Sequence, residues 1–271
     1  MQTDNQVRRK LERGELVMGM MHFTGCPMLV EVMASANLDF FIIDMEHSPI
    51  DLELAAHLVR TGDAAGITPL ARVPQVDPGL IKKLLNLGVR GIVVPHATRE
   101  SCEAAVRAVR YAPEGTRGSC PAVRQAAYGQ SDWQAFTERA NREVLVIPLL
   151  EESEVIDDFE ALAAMPGRDV FFLGTFDFSV SAGVPGAGLD HPVVAAALER
   201  MVKLARAHGK YVMTTVGDNI DTDYARQILA RGVRMISYSA DALVFRRACQ
   251  DIAGLKVTAS ECVSTPRNPA V

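Results

Sequence analysis

The chain contains no run of about 18 or more apolar residues, the minimum for a helix that crosses a bilayer, and no membrane partner is expected. Residues 1–10 are polar and charged and lack the apolar centre of a secretion signal, so the expected compartment is the cytoplasm. No CxxC pair occurs among the five cysteines, Cys26, Cys102, Cys120, Cys249 and Cys262. Their odd number suits reduced thiols and indicates neither a zinc site nor a disulfide scaffold. An excess of positive charge is also missing: the formal net charge of -5 offers no general attraction to phosphate backbones, and nucleic acid is not an expected partner. Nucleotide loops are absent too, since Gly19-Met20-Met21-His22 is no GxGxxG and no Walker-type loop appears.

What remains is a soluble globular composition, 48% apolar and 23% charged, in a chain long enough for one α/β barrel. Length alone leaves two smaller domains open. After a polar lead-in over residues 1–15, expected to be a helix covering one end of the fold, apolar runs recur at 17–23, 40–44, 68–73, 91–95, 144–150, 170–176, 211–216 and 235–239. Segments with helical spacing separate them. One is well punctuated, with Asp77 as N-cap, Pro78 at the first helical position and Gly88 as terminator, and another starts at Thr98. A stretch from about Tyr111 to Gln130, rich in Gly, Pro, Ser and Arg, reads as an active-site loop or a disordered segment. Eight strand-then-helix units without a shift in composition predict a single-domain (β/α)8 TIM barrel over residues 1–256, followed by a polar tail over 257–271. A doubly wound sheet is the alternative, and it would normally carry the glycine-rich loop that is missing here.

In such barrels chemistry lies where strands end. The runs deliver His22; then Asp44, Glu46 and His47; Arg72; His96; Glu151; Asp177; and finally Tyr238 and Asp241. Glu151 and Asp177 close the fifth and sixth runs. Two acids aimed at one opening repel unless a cation lies between them, and a divalent metal held by oxygen ligands resolves this. Either acid alone also reads as a cap on the following helix. Such a metal would leave positions for the carboxylate and keto oxygen of a 2-oxo acid. Arg72 would add a fixed donor to the same oxygen, or pair with a structural acid in the barrel mouth. His47 would move protons near neutral pH, or be a hydrogen-bonded loop histidine. His22 and His96 read equally as satisfied core groups, Glu46 as a brace of its turn, and His57 and His208 as surface or packing residues within helices. Arg117 and Arg124 would bind a distal carboxylate or hydroxyls, or be solvated loop charges.

Four ordered stretches resemble the HpcH/HpaI family of metal-dependent pyruvate aldolases: Ile43-Asp44-Met45-Glu46-His47-Ser48-Pro49; Ala71-Arg72-Val73-Pro74 with Asp77-Pro78; Arg110 to Gly118; and Phe172-Leu173-Gly174-Thr175-Phe176-Asp177-Phe178-Ser179. The likeness covers roughly residues 7–255. It implies a barrel of the phosphoenolpyruvate/pyruvate type whose last helix is commonly exchanged between subunits of a homo-oligomer, a hexamer (dimer of trimers) or other oligomer. It implies Mg²⁺ or Mn²⁺ on Glu151 and Asp177, with Co²⁺ as a further candidate. A pyruvate unit would chelate that metal, with its carboxylate held near Gly174, Phe176 and Asp177. Arg72 would stabilise the enolate and His47 would act as acid and base. The implied reaction is reversible cleavage of a 4-hydroxy-2-oxo acid to pyruvate and an aldehyde.

The chain departs from that pattern at Leu149, where many members carry Gln, and at Asn86, where an Asp thought to pair with the catalytic His is frequent. It also has Thr175-Phe176 in place of Pro-Ala, and the loop after Gly118 is about one residue shorter. Oxaloacetate decarboxylation, or a condensation using the same enolate, is the alternative within enzymes; a non-catalytic oxo-acid-binding barrel is the alternative outside them.

Overall fold

The computed structural model describes residues 4–217 and 222–263. Eight parallel strands close into one barrel in chain order: β1 (Val17–His22), β2 (Phe40–Asp44), β3 (Thr68–Arg72), β4 (Gly91–Val94), β5 (Leu145–Leu150), β6 (Val170–Leu173), β7 (Tyr211–Thr215) and β8 (Met235–Ala240). Around them lie α1 (Gln6–Glu12), α2 (Pro27–Ser35), α3 (Leu52–Ala65), α4 (Pro78–Leu87), α5 (Arg99–Val109), α6 (Trp133–Glu143), α7 (Ser153–Asp157), α8 (Phe159–Ala164), α9 (Thr175–Ser181), α10 (Pro192–Ala207), α11 (Thr222–Ala230) and α12 (Asp241–Val263). This is the (β/α)8 TIM barrel that the eight-fold rhythm predicts.

The strands are apolar at every position because both of their faces are covered. Along β2, Phe40 and Ile42 point into the barrel and pack with Leu70, Val93, Leu145 and Ile147, while Phe41 and Ile43 pack outward against Val59, Leu84 and Leu85 of the helices. The barrel interior is tight enough to require glycine at position 19, where an added Cβ would stand 2.3 Å from the Phe40 carbonyl oxygen. Helix α1 covers the N-terminal mouth, as the lead-in predicts: Val7 and Leu11 join the interior cluster, and buried Asn5 donates to the carbonyls of Arg90 and Glu143 at 3.0 and 2.9 Å. Local signals hold as well. Asp77 accepts from the Gly79 amide, Thr98 from the Ser101 amide, and Gly88 ends α4 at φ 113°.

Three expectations change. The stretch from Tyr111 to Gln130 is neither an active-site loop nor a structureless segment. Tyr111 and Ala126 are buried with Phe136 and Ala140 of α6, and the Arg117 guanidinium lies 4.4 Å above the Tyr111 ring. The single helix expected after Glu151 divides into α7 and α8 at Asp158. Finally, β6 ends at Leu173 rather than at Phe176, and the chain turns directly into α9. The boundary placed at residue 256 falls inside α12, and residues 264–271 of the expected tail lie outside the described residues.

Candidate active site

A cavity of about 550 Å³ opens at the C-terminal end of the barrel and brings together His47, Arg72, Glu151, Gly174, Phe176 and Asp177. The β2 end supplies its first fixed point. Asp44 is fully buried, and its Oδ1 accepts the amides of Glu46 and His47, each at 2.9 Å. Ser48 closes the same turn by donating its hydroxyl to the Asp44 carbonyl. This local bonding holds the chain out of helix or strand geometry and presents His47, whose side chain is 58% exposed, at the cavity.

Arg72 closes β3 and is buried. Its Nη2 pairs with Asp44 Oδ2, and its Nη1 lies 3.2 Å from Glu46 Oε2. Arg72 is thus ion-paired in the barrel mouth, and it also lines the cavity. Its Nε is buried without a hydrogen-bond partner among the described residues. Glu46 braces this group, standing between Arg72, His47 at 3.6 Å and His96 at 3.8 Å.

Glu151 follows β5 directly, and its Oε2 accepts the His96 amide at 2.7 Å. That amide is aimed by a left-handed backbone, with His96 at φ 44°. Burial pushes the Glu151 carboxyl above its ordinary value; the His96 amide and imidazole oppose this, while the charges of Asp177 and Glu46 add to it. Asp177 is reached differently from the sequence reading: it sits in the first turn of α9, not at the end of a strand. Gly174 makes the junction possible, because a Cβ there would lie 3.0 Å from Glu151 Cγ and 3.1 Å from Leu149 Cδ1. The first intrahelical bond of α9 runs from the Phe178 amide to the Gly174 carbonyl at 2.9 Å, so the amides of Phe176 and Asp177 precede the helical ladder.

The donor set fits a hard divalent cation. Among the described residues no group of three or more His, Cys, Asp and Glu is placed to hold a metal, so a cation here would rest on the two carboxylates, with water and substrate needed to complete its shell. A cation would also relieve the like-charge burden on Glu151.

Other expected groups lie elsewhere. His22 is fully buried with Nδ1 2.9 Å from Asp241 Oδ2, while its Nε2 finds no hydrogen-bond partner among the described residues. Burial alone would raise the Asp241 carboxyl, but contacts from His22, Thr24 and the Phe23 amide together hold it well below the usual carboxylate range. Arg117 bonds Gln125 and, at 3.4 Å, Asn86; Arg124 pairs with Asp63 at 2.6 Å and donates to the Leu87 carbonyl at 2.9 Å. Neither lines the cavity, so both readings of these arginines give way to a structural one. Sequence reasoning gave Asp44 no role beyond its strand end and overlooked Leu189, Thr215, Val216, Tyr224 and Leu243 as cavity wall. For Asp44 the signal was present, an acid two residues before Glu46 at the end of a buried run; the wall residues have no local signature.

The family model for HpcH/HpaI aldolase/citrate lyase matches residues 20–248. A 5-keto-4-deoxy-D-glucarate aldolase from Shigella dysenteriae is 30% identical over 251 residues, 92% of this chain and 95% of that protein. Among solved structures, an HpcH/HpaI aldolase from Desulfitobacterium hafniense superposes with a TM-score of 0.85 at 27% identity, covering 97% of this chain and 98% of the other. An HpcH/HpaI aldolase/citrate lyase family protein from Burkholderia cenocepacia does so with a TM-score of 0.84 at 33% identity, covering 94% and 99%. The barrel, the charged groups gathered in the cavity at its C-terminal mouth and these likenesses agree, and the chain belongs to the HpcH/HpaI aldolase/citrate lyase family as an enzyme of the carbon–carbon lyase class.

Proposed function

We propose that the chain is a divalent-metal-dependent aldolase that reversibly cleaves a 4-hydroxy-2-oxo acid to pyruvate and an aldehyde. The observation that carries this reading is the gathering of two carboxylates, a buried arginine and a half-exposed histidine around one cavity. Glu151 and Asp177 would hold Mg²⁺ or Mn²⁺, which when bound supplies Lewis-acid stabilisation of charge on the oxo group.

The chain's own groups divide the remaining work. The amides of Phe176 and Asp177, free of the helical ladder, would receive the substrate carboxylate, and Gly174 keeps the approach clear of a side chain. His47 would take the proton of the 4-hydroxyl, through a water, as the C3–C4 bond breaks and the aldehyde leaves. The electron pair of that bond moves onto the pyruvate fragment, where Arg72 faces the developing oxyanion with its guanidinium. Return of a proton from His47 to C3 completes pyruvate. Asp44 positions both partners, since one carboxylate grips the Arg72 guanidinium and the His47 amide. Exchange of the last helix within a homo-oligomer belongs to the same proposal, and α12 leaves Phe245 and Ile252 each 66% exposed on one chain.

The test is release of pyruvate from 4-hydroxy-2-oxo acids and from oxaloacetate, after chelation and after adding back Mg²⁺, Mn²⁺ or Co²⁺. Metal-dependent release from the hydroxy-oxo acids is the expected result. Release from oxaloacetate alone would instead establish a decarboxylase.

A further inference from the structure

The cavity has two chemically different sides. Its charged groups arrive from β2, β3, β5 and the start of α9, whereas the side built from the ends of β1, β7 and β8, the segment after α9, α11 and the start of α12 presents Phe23, Leu189, Val216, Tyr224 and Leu243, with Ser239 among them. Phe176, 67% exposed beside Asp177, adds an aromatic face at the junction. Arg72 is the only lysine or arginine among the described residues lining the cavity, and Asp44 and Glu46 already match its charge. The hydroxyls of Thr175 and Thr215, 3.1 Å apart, are bonded to each other. Arg117 and Arg124, the other cations available to a distal carboxylate, are held by Gln125, Asn86 and Asp63 away from the cavity.

From this division we infer that the aldehyde released is uncharged and apolar, an alkyl or aryl aldehyde, and that the Leu189, Val216, Tyr224 and Leu243 wall selects it. The inference rests on the aldolase reading above and names the half of the substrate that reading leaves open. A carboxylate on the aldehyde would lose its water against this wall with no lysine or arginine among the described wall residues to replace it. A polyol would have to compete with the Thr175–Thr215 bond for the threonine hydroxyls it meets. Alkyl carbon gains instead, by about fourfold in binding for each methylene removed from water.

Two measurements on the full chain with Mn²⁺ separate the inference from the reading beneath it. Deuterium uptake into the pyruvate methyl group, followed by NMR with no aldehyde present, reports the pyruvate half alone and is expected to occur. Its absence would overturn the aldolase reading and the inference with it. The second measurement is kcat/KM for cleavage of 4-hydroxy-2-oxo acids of matched length ending in methyl, phenyl, carboxylate or a polyol. Methyl and phenyl substrates are expected to exceed the other two by about tenfold or more. With exchange intact, equal or better cleavage of the carboxylate or polyol substrate overturns the inference while leaving the reading standing. Leu243 is 41% exposed and so tolerates a longer side chain; Leu243→Arg is expected to shift the carboxylate-to-methyl ratio of kcat/KM upward by about tenfold. An unchanged ratio would remove the wall as the selecting element.

Discussion

Asp44 and Arg72 stand opposite each other in the β2–β3 ladder and are ion-paired across it, while the same Asp44 carboxylate receives the amides of Glu46 and His47. One acid therefore orients the cation and the imidazole assigned to opposite ends of the proposed reaction. Register places the two side chains together, and burial makes their pairing obligatory: Asp44 is 0% and Arg72 7% exposed.

Asp44→Ala strands a buried guanidinium and opens the turn that carries His47. Breaking a buried pair in this way is expected to cost about 3–5 kcal/mol of stability. Urea denaturation checks the stability, and pyruvate release, expected to fall by at least about a hundredfold, checks the positioning. A variant as stable and as active as the parent chain would show that the pair is dispensable.

Gly174→Ala tests the junction between the two carboxylates. The backbone there, φ -76°, suits alanine, so the cost comes from contact with Glu151 and Leu149. The variant is expected to fold, with Mn²⁺ affinity lowered about tenfold as Glu151 is displaced. Titration calorimetry measures this directly, and an unaltered affinity would show that Glu151 placement does not govern binding.

Asp177→Ala is expected to abolish metal binding and pyruvate release together. Asp177 is exposed in the first turn of α9, so circular dichroism should be unchanged and the loss of stability within about 0.5 kcal/mol. Prolonged chelation of the parent chain should reproduce the loss reversibly. Turnover that survives in metal-free protein would exclude the proposed mechanism.

Asp241 links the end of β1 to the start of α12 and carries a pH signature. Its carboxyl is held below its unfolded value of about 3.9, so the ionised form stabilises the fold above that pH. As pH falls through the unfolded and then the folded value, the unfolded chain takes up the proton first and this contribution disappears. Asp241→Asn should therefore be less stable than the parent by on the order of 3 kcal/mol at pH 7, with the gap closing below about pH 4. Denaturation curves from pH 7 to pH 2.5 measure it; a gap independent of pH would contradict the assignment.

Much of the barrel was legible because its signals are local. Buried strands must be apolar on both faces, helices must satisfy their first amides, and Asp77-Pro78, Thr98 and Gly88 do this within a few residues of one another. The run 170–176 shows the limit of such reading: apolar periodicity cannot separate a strand from a strand that turns at Gly174 into a helix burying Phe178. Arg117 and Arg124 show another, since loop cations have no local mark that tells a ligand site from a bond to Asn86, Gln125 or Asp63.

By itself the sequence determined the eight-fold alternation, the helix boundaries marked by caps, and that His22, Asp44, Arg72 and Glu151 stand at strand ends, because each follows from neighbours in the chain. Tertiary structure alone decided that Asp44 serves both Arg72 and His47, that the His96 amide meets Glu151, and that Leu189, Val216, Tyr224 and Leu243 form one apolar wall. These relationships join residues distant in sequence, and only closure of the barrel, which brings every strand end to one mouth, sets their distances.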